Sequence, residues 1–106
     1  MTFGKIIADA RRKAGVSQKE LALRIKKEDG ESISAQYLND IEHDRRTPPS
    51  EFLIAQFARE LKFSKEYLCL AAGTIPEELH QKLTAAPPET VEDAFRAFRR
   101  TIKKEK

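Results

Sequence analysis

The chain contains few residues of the kinds that break helices or cross-link a small domain. Its 106 residues include four glycines, one cysteine and no tryptophan. A single cysteine, Cys69, excludes an internal disulfide and is typical of a protein from a reducing cytoplasm, where we expect this one to be found. Cys69 lies within the apolar segment 67–72, which predicts a buried thiol in the core rather than a reactive one.

Long apolar runs are also missing. No stretch approaches the roughly 20 residues of a membrane-spanning helix, and the N-terminus does not have the pattern of a signal peptide. No run alternates in the manner of a half-buried strand. Hydrophobic residues make up 40% of the chain and charged residues 35%, which suits a small soluble domain with an appendage. The sequence therefore predicts an all-α protein.

No set of residues predicts catalysis or metal binding. The two histidines, His43 and His80, are far apart in sequence, and neither has a partner at a metal-ligand spacing. A glycine-rich loop that would hold a phosphate is not found. We therefore expect a protein that is not an enzyme and that uses no cofactor or metal.

The most informative stretch is 17–46, SQKELALRIKKEDGESISAQYLNDIEHDRR. Ser17 is followed three residues later by Glu20, the spacing of a capping box at a helix start. Ser34 opens a second helical pattern, whose inward stripe is Leu38 and Ile41. The opposite side of this second helix carries four polar residues: Gln36, Asn39, Asp40 and His43. Two short helices, the second with an outward polar face, predict a helix-turn-helix whose second helix enters the DNA major groove.

The segments GVSQKELA, ISAQYLNDIE and RRTPPSEFL occur in this order and resemble the Cro and phage-repressor family, the xenobiotic-response-element regulators. The resemblance runs from about Phe3 to Gly73. It implies a five-helix, lambda-repressor-like DNA-binding domain over residues 1–73. Beyond Gly73 the resemblance thins, and the residue pattern there predicts a helical extension over 74–106 that serves dimerisation or partner binding. Asp44 departs from the pattern, because the family commonly has glycine after the recognition helix, but aspartate tolerates the left-handed region.

The resemblance also implies roles for individual residues. The expected DNA base contacts are Ala35, Gln36, Asn39 and Asp40. The expected backbone contacts are Gln18, Lys19, Tyr37, Arg45 and Arg46. Asp40 has the chemistry to accept from cytosine N4, but phosphate repels it. Glu42 falls on the inward side of the second helix, where an unpaired carboxylate is costly, and in the family its position pairs with that of Arg11. We therefore predict an Arg11–Glu42 ion pair.

The turn Lys26–Ile33 is several residues longer than is usual in the family. Its lysines are offset by Glu28, Asp29 and Glu31, so we expect a solvent-facing excursion that adds little DNA-binding energy. Asp29 and Gly30 favour a tight turn at its tip.

An apolar stripe of Val91, Phe95, Phe98 and Ile102 marks a final basic helix. It makes a dimer, binds a partner or folds back onto the fifth helix, and Leu79 and Leu83 are possible additions to a dimer surface. The sequence thus predicts a dimeric repressor that binds double-stranded DNA at a palindromic operator. The alternative is an antitoxin or interaction module whose C-terminal segment binds a toxin or peptidase.

Overall fold

A computed structural model describes residues 1–104 and consists, over those residues, of seven α-helices. The helices are α1 Phe3–Lys13, α2 Gln18–Arg24, α3 Ala35–Glu42, α4 Glu51–Leu61, α5 Lys65–Ala71, α6 Glu77–Ala85 and α7 Pro88–Lys104. The described residues contain no strand beyond one isolated antiparallel bridge, between Lys26 and Ser32. The all-α prediction is confirmed. No described helix is both long enough and apolar enough to cross a membrane.

The chain divides into two units, Met1–Pro76 and Glu77–Lys106. In the first unit, α1 packs against α3 and α4, α2 packs against α3, and α4 packs against α5. Their inward stripes, with Ile33 from the long turn, meet in one apolar core. Its most deeply buried side chains are Ile7, Leu21, Ile25, Leu38, Ile54, Phe57, Leu68 and Cys69. The predicted five-helix arrangement is therefore present, and Cys69 lies in the core, as expected.

Four of the first five helices begin at a hydroxyl side chain that caps the first turn. These N-cap residues are Thr2, Ser17, Ser34 and Ser64. At α2 the capping box is complete, since Ser17 Oγ accepts from the Glu20 N–H while Glu20 Oε1 accepts from the Ser17 N–H, both at 3.0 Å. The starts of α2 and α3 are thereby fixed by local sequence.

Asp44 connects the end of α3 to the start of α1. Its φ of 56° is the left-handed conformation expected where the family has glycine. Its carboxylate accepts from Thr2 Oγ at 2.6 Å and from the Gly4 N–H at 3.1 Å. Gly4 lies so close to α3 that an added Cβ would be 2.2 Å from the Ile41 carbonyl oxygen. The aspartate therefore ends one helix and stabilises the N-terminus of another.

The long turn is an ordered, hairpin-like segment. The Ile33 N–H donates to the Ile25 carbonyl at 2.9 Å, and the Lys27 N–H donates to the Glu31 carbonyl at 2.7 Å. Gln56 of α4 then holds the segment from the side. Its Oε1 accepts from the Lys26 N–H and its Nε2 donates to the Lys26 carbonyl, both at 2.6 Å. One buried amide side chain thus pairs with both polar groups of one residue, as a neighbouring strand would.

The second unit contains α6 and α7. The predicted stripe lies on α7: Phe95, Phe98 and Ile102 are 46%, 49% and 52% exposed, and Val91 is half-buried. On α6, Leu79 is exposed and Leu83 is half-buried. Exposed aromatic rings on a helix that is otherwise charged leave an apolar surface available for association.

Candidate nucleic-acid interface

The outward face of α3 is presented to solvent at its N-terminal end. Ser34 caps the helix by accepting from the Tyr37 N–H at 3.0 Å, and Leu38 and Ile41 anchor the opposite side in the core. Ala35 and Gln36 are exposed, whereas the side chains one turn further along are partly covered. The first turn of the helix is therefore the part best placed to reach the edges of bases.

Arg11 and Glu42 join α1 to α3. Arg11 Nε donates to Glu42 Oε2 at 2.6 Å, and Nη2 donates to Oε1 at 3.0 Å. The remaining guanidinium nitrogen, Nη1, donates to the Val16 carbonyl at 3.0 Å. The side chains are 11% and 2% exposed, and the hydrogen bond that Arg11 donates to Glu42 raises the pKa of Arg11 above its ordinary value. The structure thus brings the two predicted partners into a bidentate, buried ion pair.

Gln18 extends this network to the exposed face. Its Nε2 donates to Glu42 Oε1 at 2.9 Å and to Asn39 Oδ1 at 3.0 Å. Gln18 is a predicted backbone contact and Asn39 a predicted base contact, and in the free protein they are bonded to each other. The start of α2 is thereby held at a fixed position beside the middle of α3.

Asp40 accepts hydrogen bonds from three of the other predicted contact residues. Its Oδ1 accepts from Gln36 Nε2 at 3.0 Å and from Arg45 Nη1 at 3.4 Å, and its Oδ2 accepts from Arg46 Nε at 3.4 Å. The Arg46 guanidinium also lies 5.1 Å from the centroid of the Tyr37 ring, within cation–π distance. Burial acts to raise the pKa of Asp40, but the hydrogen bonds from Gln36, Arg46 and Arg45 outweigh it and hold that pKa below its ordinary value.

Two further polar residues lie near this face. Lys19, a predicted backbone contact, is exposed on the first turn of α2. His43 ends α3, and its Nδ1 lies 2.9 Å from the Asn39 carbonyl oxygen. Among the described residues, no group of His, Cys, Asp or Glu side chains has an arrangement that would hold a metal ion. The polar surface of α2 and α3 is thus built from hydrogen-bonding and cationic side chains.

A family model described as "Helix-turn-helix domain" matches residues 4–74. The chain belongs to this helix-turn-helix family, of the xenobiotic-response-element type. It therefore carries the DNA-binding domain that the order of its motifs predicts, and the expected family is confirmed.

The fold also matches a chain in a solved structure of the SinR protein/SinI protein complex. The TM-score is 0.54 at 20% sequence identity, and the match covers 94% of this chain and 99% of that one. At this identity the likeness is one of fold. No curated protein matches the chain.

Two residues that organise this helix-turn-helix were not predicted. Gln56 lies among apolar residues of α4, and a glutamine at such a position is the signal that would have pointed to a buried partner. The second residue is Asp44. Its place after α3 predicted the left-handed conformation, but the hydrogen bonds that its carboxylate accepts from Thr2 and Gly4 were not predicted. Both partnerships join residues at least 30 positions apart, so local patterns do not contain them.

Proposed function

We propose that this protein is a sequence-specific double-stranded DNA-binding transcriptional regulator, a repressor that acts as a homodimer on a palindromic operator. The observation that carries the proposal is the outward face of α3: its first turn is exposed, Asn39 accepts from Gln18 at the start of α2, and Asp40 accepts from Arg45 and Arg46. We expect such a protein to act in the cytoplasm, where the DNA of a cell without a nucleus lies.

In the proposed complex, α3 lies in the major groove with its N-terminal turn towards the base edges. Gln36 has the amide needed for a bidentate contact with adenine, and Ala35 supplies an apolar contact for a thymine methyl group. Asn39 and Asp40 follow one turn further into the groove. The Arg11–Glu42 pair supports this arrangement because it fixes the angle of α3 relative to α1.

The contacts to phosphates surround this face. Gln18 and the neighbouring backbone N–H groups at the start of α2 meet one strand, since a helix N-terminus favours an anion. Lys19, Tyr37, Arg45 and Arg46 bind the phosphates that follow. Such contacts fix the register of the protein on the duplex and carry no sequence information by themselves.

The test is selection of bound sites from random DNA, followed by titration of Gln36→Ala and Arg46→Ala. Loss of Gln36 should cost about 1–3 kcal/mol on the preferred site and relax preference at one position of each half-site. Loss of Arg46 should weaken all sequences similarly and reduce the salt slope by about one. If no sequence is enriched, the proposed function is wrong. Unchanged selectivity in Gln36→Ala would instead refute the docking.

The dimer is proposed to form through α7 of two copies. Its three exposed apolar side chains, Phe95, Phe98 and Ile102, alternate at intervals of three and four residues along one side of the helix, with Val91 beginning the stripe. The first unit already closes a core of its own. A palindrome needs two recognition helices about 34–36 Å apart, and pairing of the α7 stripes supplies the link between them.

Truncation after Ala86 tests this interface by light scattering and operator titration. A folded monomer with weakened palindrome binding is the expected result. A truncated protein that remains dimeric would move the interface into the first unit, and unfolding would mean that the stripe contributes to the core. Exchange of Phe95 and Phe98 for serine in the full chain gives a milder second variant with the same expected loss.

The second candidate function is partner binding, as an antitoxin or an interaction module whose C-terminal segment binds a toxin or peptidase. The same exposed α7 stripe favours it, as does the fold shared with a chain of a two-protein complex. Both candidate functions would bury Phe95, Phe98 and Ile102 in an interface. Purified full-length protein decides between them: self-association in the absence of other proteins supports the dimer, and a monomer supports the partner.

A further inference from the structure

Asp40 accepts contacts from three of the side chains that the proposed function assigns to DNA. Both oxygens of its carboxylate are engaged, Oδ1 by Gln36 and Arg45 and Oδ2 by Arg46. Its side chain is 17% exposed, whereas those of Arg45 and Arg46 are 57% and 55% exposed. The carboxylate is thus partly covered by cationic side chains that otherwise face solvent.

The Asp40 carboxylate presents negatively charged oxygen acceptors to these side chains, as a DNA phosphate would. Guanidinium groups bind carboxylate and phosphate oxygens with the same donor geometry, and the N–H groups that Arg45 and Arg46 give to Asp40 are not available to a phosphate while those bonds last. The amide nitrogen of Gln36 that donates to Asp40 is also the group that would donate to adenine N7. Contact with DNA through these same N–H groups therefore requires that their bonds to Asp40 be exchanged.

The distances indicate that the exchange is easy for the arginines. Both contacts are 3.4 Å long, well beyond the roughly 2.7–2.9 Å of a strong charge-assisted hydrogen bond. The Gln36 contact is shorter, at 3.0 Å. Once its donors have left, the carboxylate faces the negative potential of the groove, and only a donor on a base edge, such as cytosine N4, can take their place.

We propose that Asp40 is a specificity-determining residue that acts as an internal competitor of DNA, holding Gln36, Arg45 and Arg46 until a correct site replaces its bonds. This inference rests on the proposed function. DNA of any sequence must displace the Asp40 carboxylate from these donors. Only a site that also forms hydrogen bonds with Gln36 and Asp40 recovers the binding energy that is lost when those bonds break. Asp40 therefore weakens non-specific binding more than specific binding, which raises the ratio between them.

The test compares Asp40→Asn and Asp40→Ala with the wild type on the selected operator and on non-specific duplex. An exposed ion pair changes an equilibrium constant by up to about fivefold, so release of two pairs should tighten non-specific binding about three- to tenfold. The salt slope should steepen by about 0.9, since loss of the carboxylate makes the net charge of the interface more positive by one. The ratio of operator affinity to non-specific affinity should fall as the non-specific affinity rises.

Glu28→Gln is the matched control, because it removes one negative charge in the long turn. Its effect on non-specific binding should be smaller than that of Asp40→Asn. The decisive comparison repeats Asp40→Asn in a background of Arg45→Ala and Arg46→Ala. There the substitution should no longer tighten non-specific binding, since its effect passes through the arginines.

Three results would overturn the inference. The first is unchanged non-specific affinity in both Asp40 variants, and the second is an equal gain in Glu28→Gln. The third is a changed base preference at one operator position without any change in non-specific affinity, which would make Asp40 a direct reader alone. In each case the wild type still selects a sequence, so the proposed function survives. Absence of any selected sequence for the wild type would remove both.

Discussion

The Arg11–Glu42 pair is the contact whose removal should most disturb the DNA-binding unit. In Arg11→Met the aliphatic packing is largely kept, but the Glu42 carboxylate loses both guanidinium donors and retains the Gln18 amide. At 2% exposure it has no access to water that would replace them. Leaving one charge of a buried pair without its partner costs about 3–5 kcal/mol.

That loss is large for a domain of this size, whose total stability is expected to be about 5–15 kcal/mol. Urea unfolding of the full chain, followed by circular dichroism at helix wavelengths, measures it directly. In a thermal scan the midpoint should fall by at least roughly 12 °C. Arg12→Met is the matched control, because Arg12 is on the same helix, 60% exposed, and 3.5 Å from Asp9. Its effect should stay within about 0.5 kcal/mol.

The double variant Arg11→Met, Glu42→Met separates charge burial from packing. Replacing both partners removes the stranded carboxylate, so most of the stability lost in Arg11→Met should return. A loss below about 1 kcal/mol in Arg11→Met would refute the argument that this pair locks α1 to α3. A double variant as unstable as the sum of its two single changes would show that the cost arises from shape rather than from charge.

Three further predictions follow from packing. Gln56→Ala leaves the Lys26 N–H and carbonyl without their partner and should cost about 1–3 kcal/mol, with faster amide exchange in the long turn; unchanged exchange would contradict this. Gly4→Ala places a Cβ 2.2 Å from the Ile41 carbonyl oxygen and should destabilise by at least about 1–3 kcal/mol, so a wild-type unfolding midpoint would rule out the close approach. Burial raises the pKa of Cys69, and alkylation by iodoacetamide near neutral pH should be much slower in native than in denatured protein; equal rates would place the thiol at the surface.

The long turn also carries a prediction from its charges. Replacement of 27–32 by a short glycine turn should preserve operator binding within a few-fold, since its acidic residues offset its lysines. The stability of the shortened protein is expected to fall if the Lys26–Gln56 contact is lost with it. A drop in affinity as large as that of Gln36→Ala, with stability unchanged, would mean that the turn contacts DNA.

Much of the architecture is determined by local sequence. A serine before Gln18 and another before Ala35 fix the starts of α2 and α3, because a hydroxyl three residues before an N–H caps it regardless of the rest of the chain. The apolar spacing within each helix then selects its inward face. The ordered motifs were enough to predict the family and the all-α fold, both of which are confirmed.

What local sequence does not determine is which polar groups meet when the helices pack. Glu42 on an inward face indicates that a partner exists, and the family resemblance named Arg11, but the participation of Gln18 and Asn39 depends on the crossing of α2 and α3. Likewise Asp40 and Gln36 are neighbours by helical spacing, whereas the bonds of Asp40 to Arg45 and Arg46 depend on how the chain leaves α3. Tertiary structure decides these pairings because a hydrogen bond forms only when its donor and acceptor atoms lie about 3 Å apart. Periodicity and composition do not give side-chain positions with that precision.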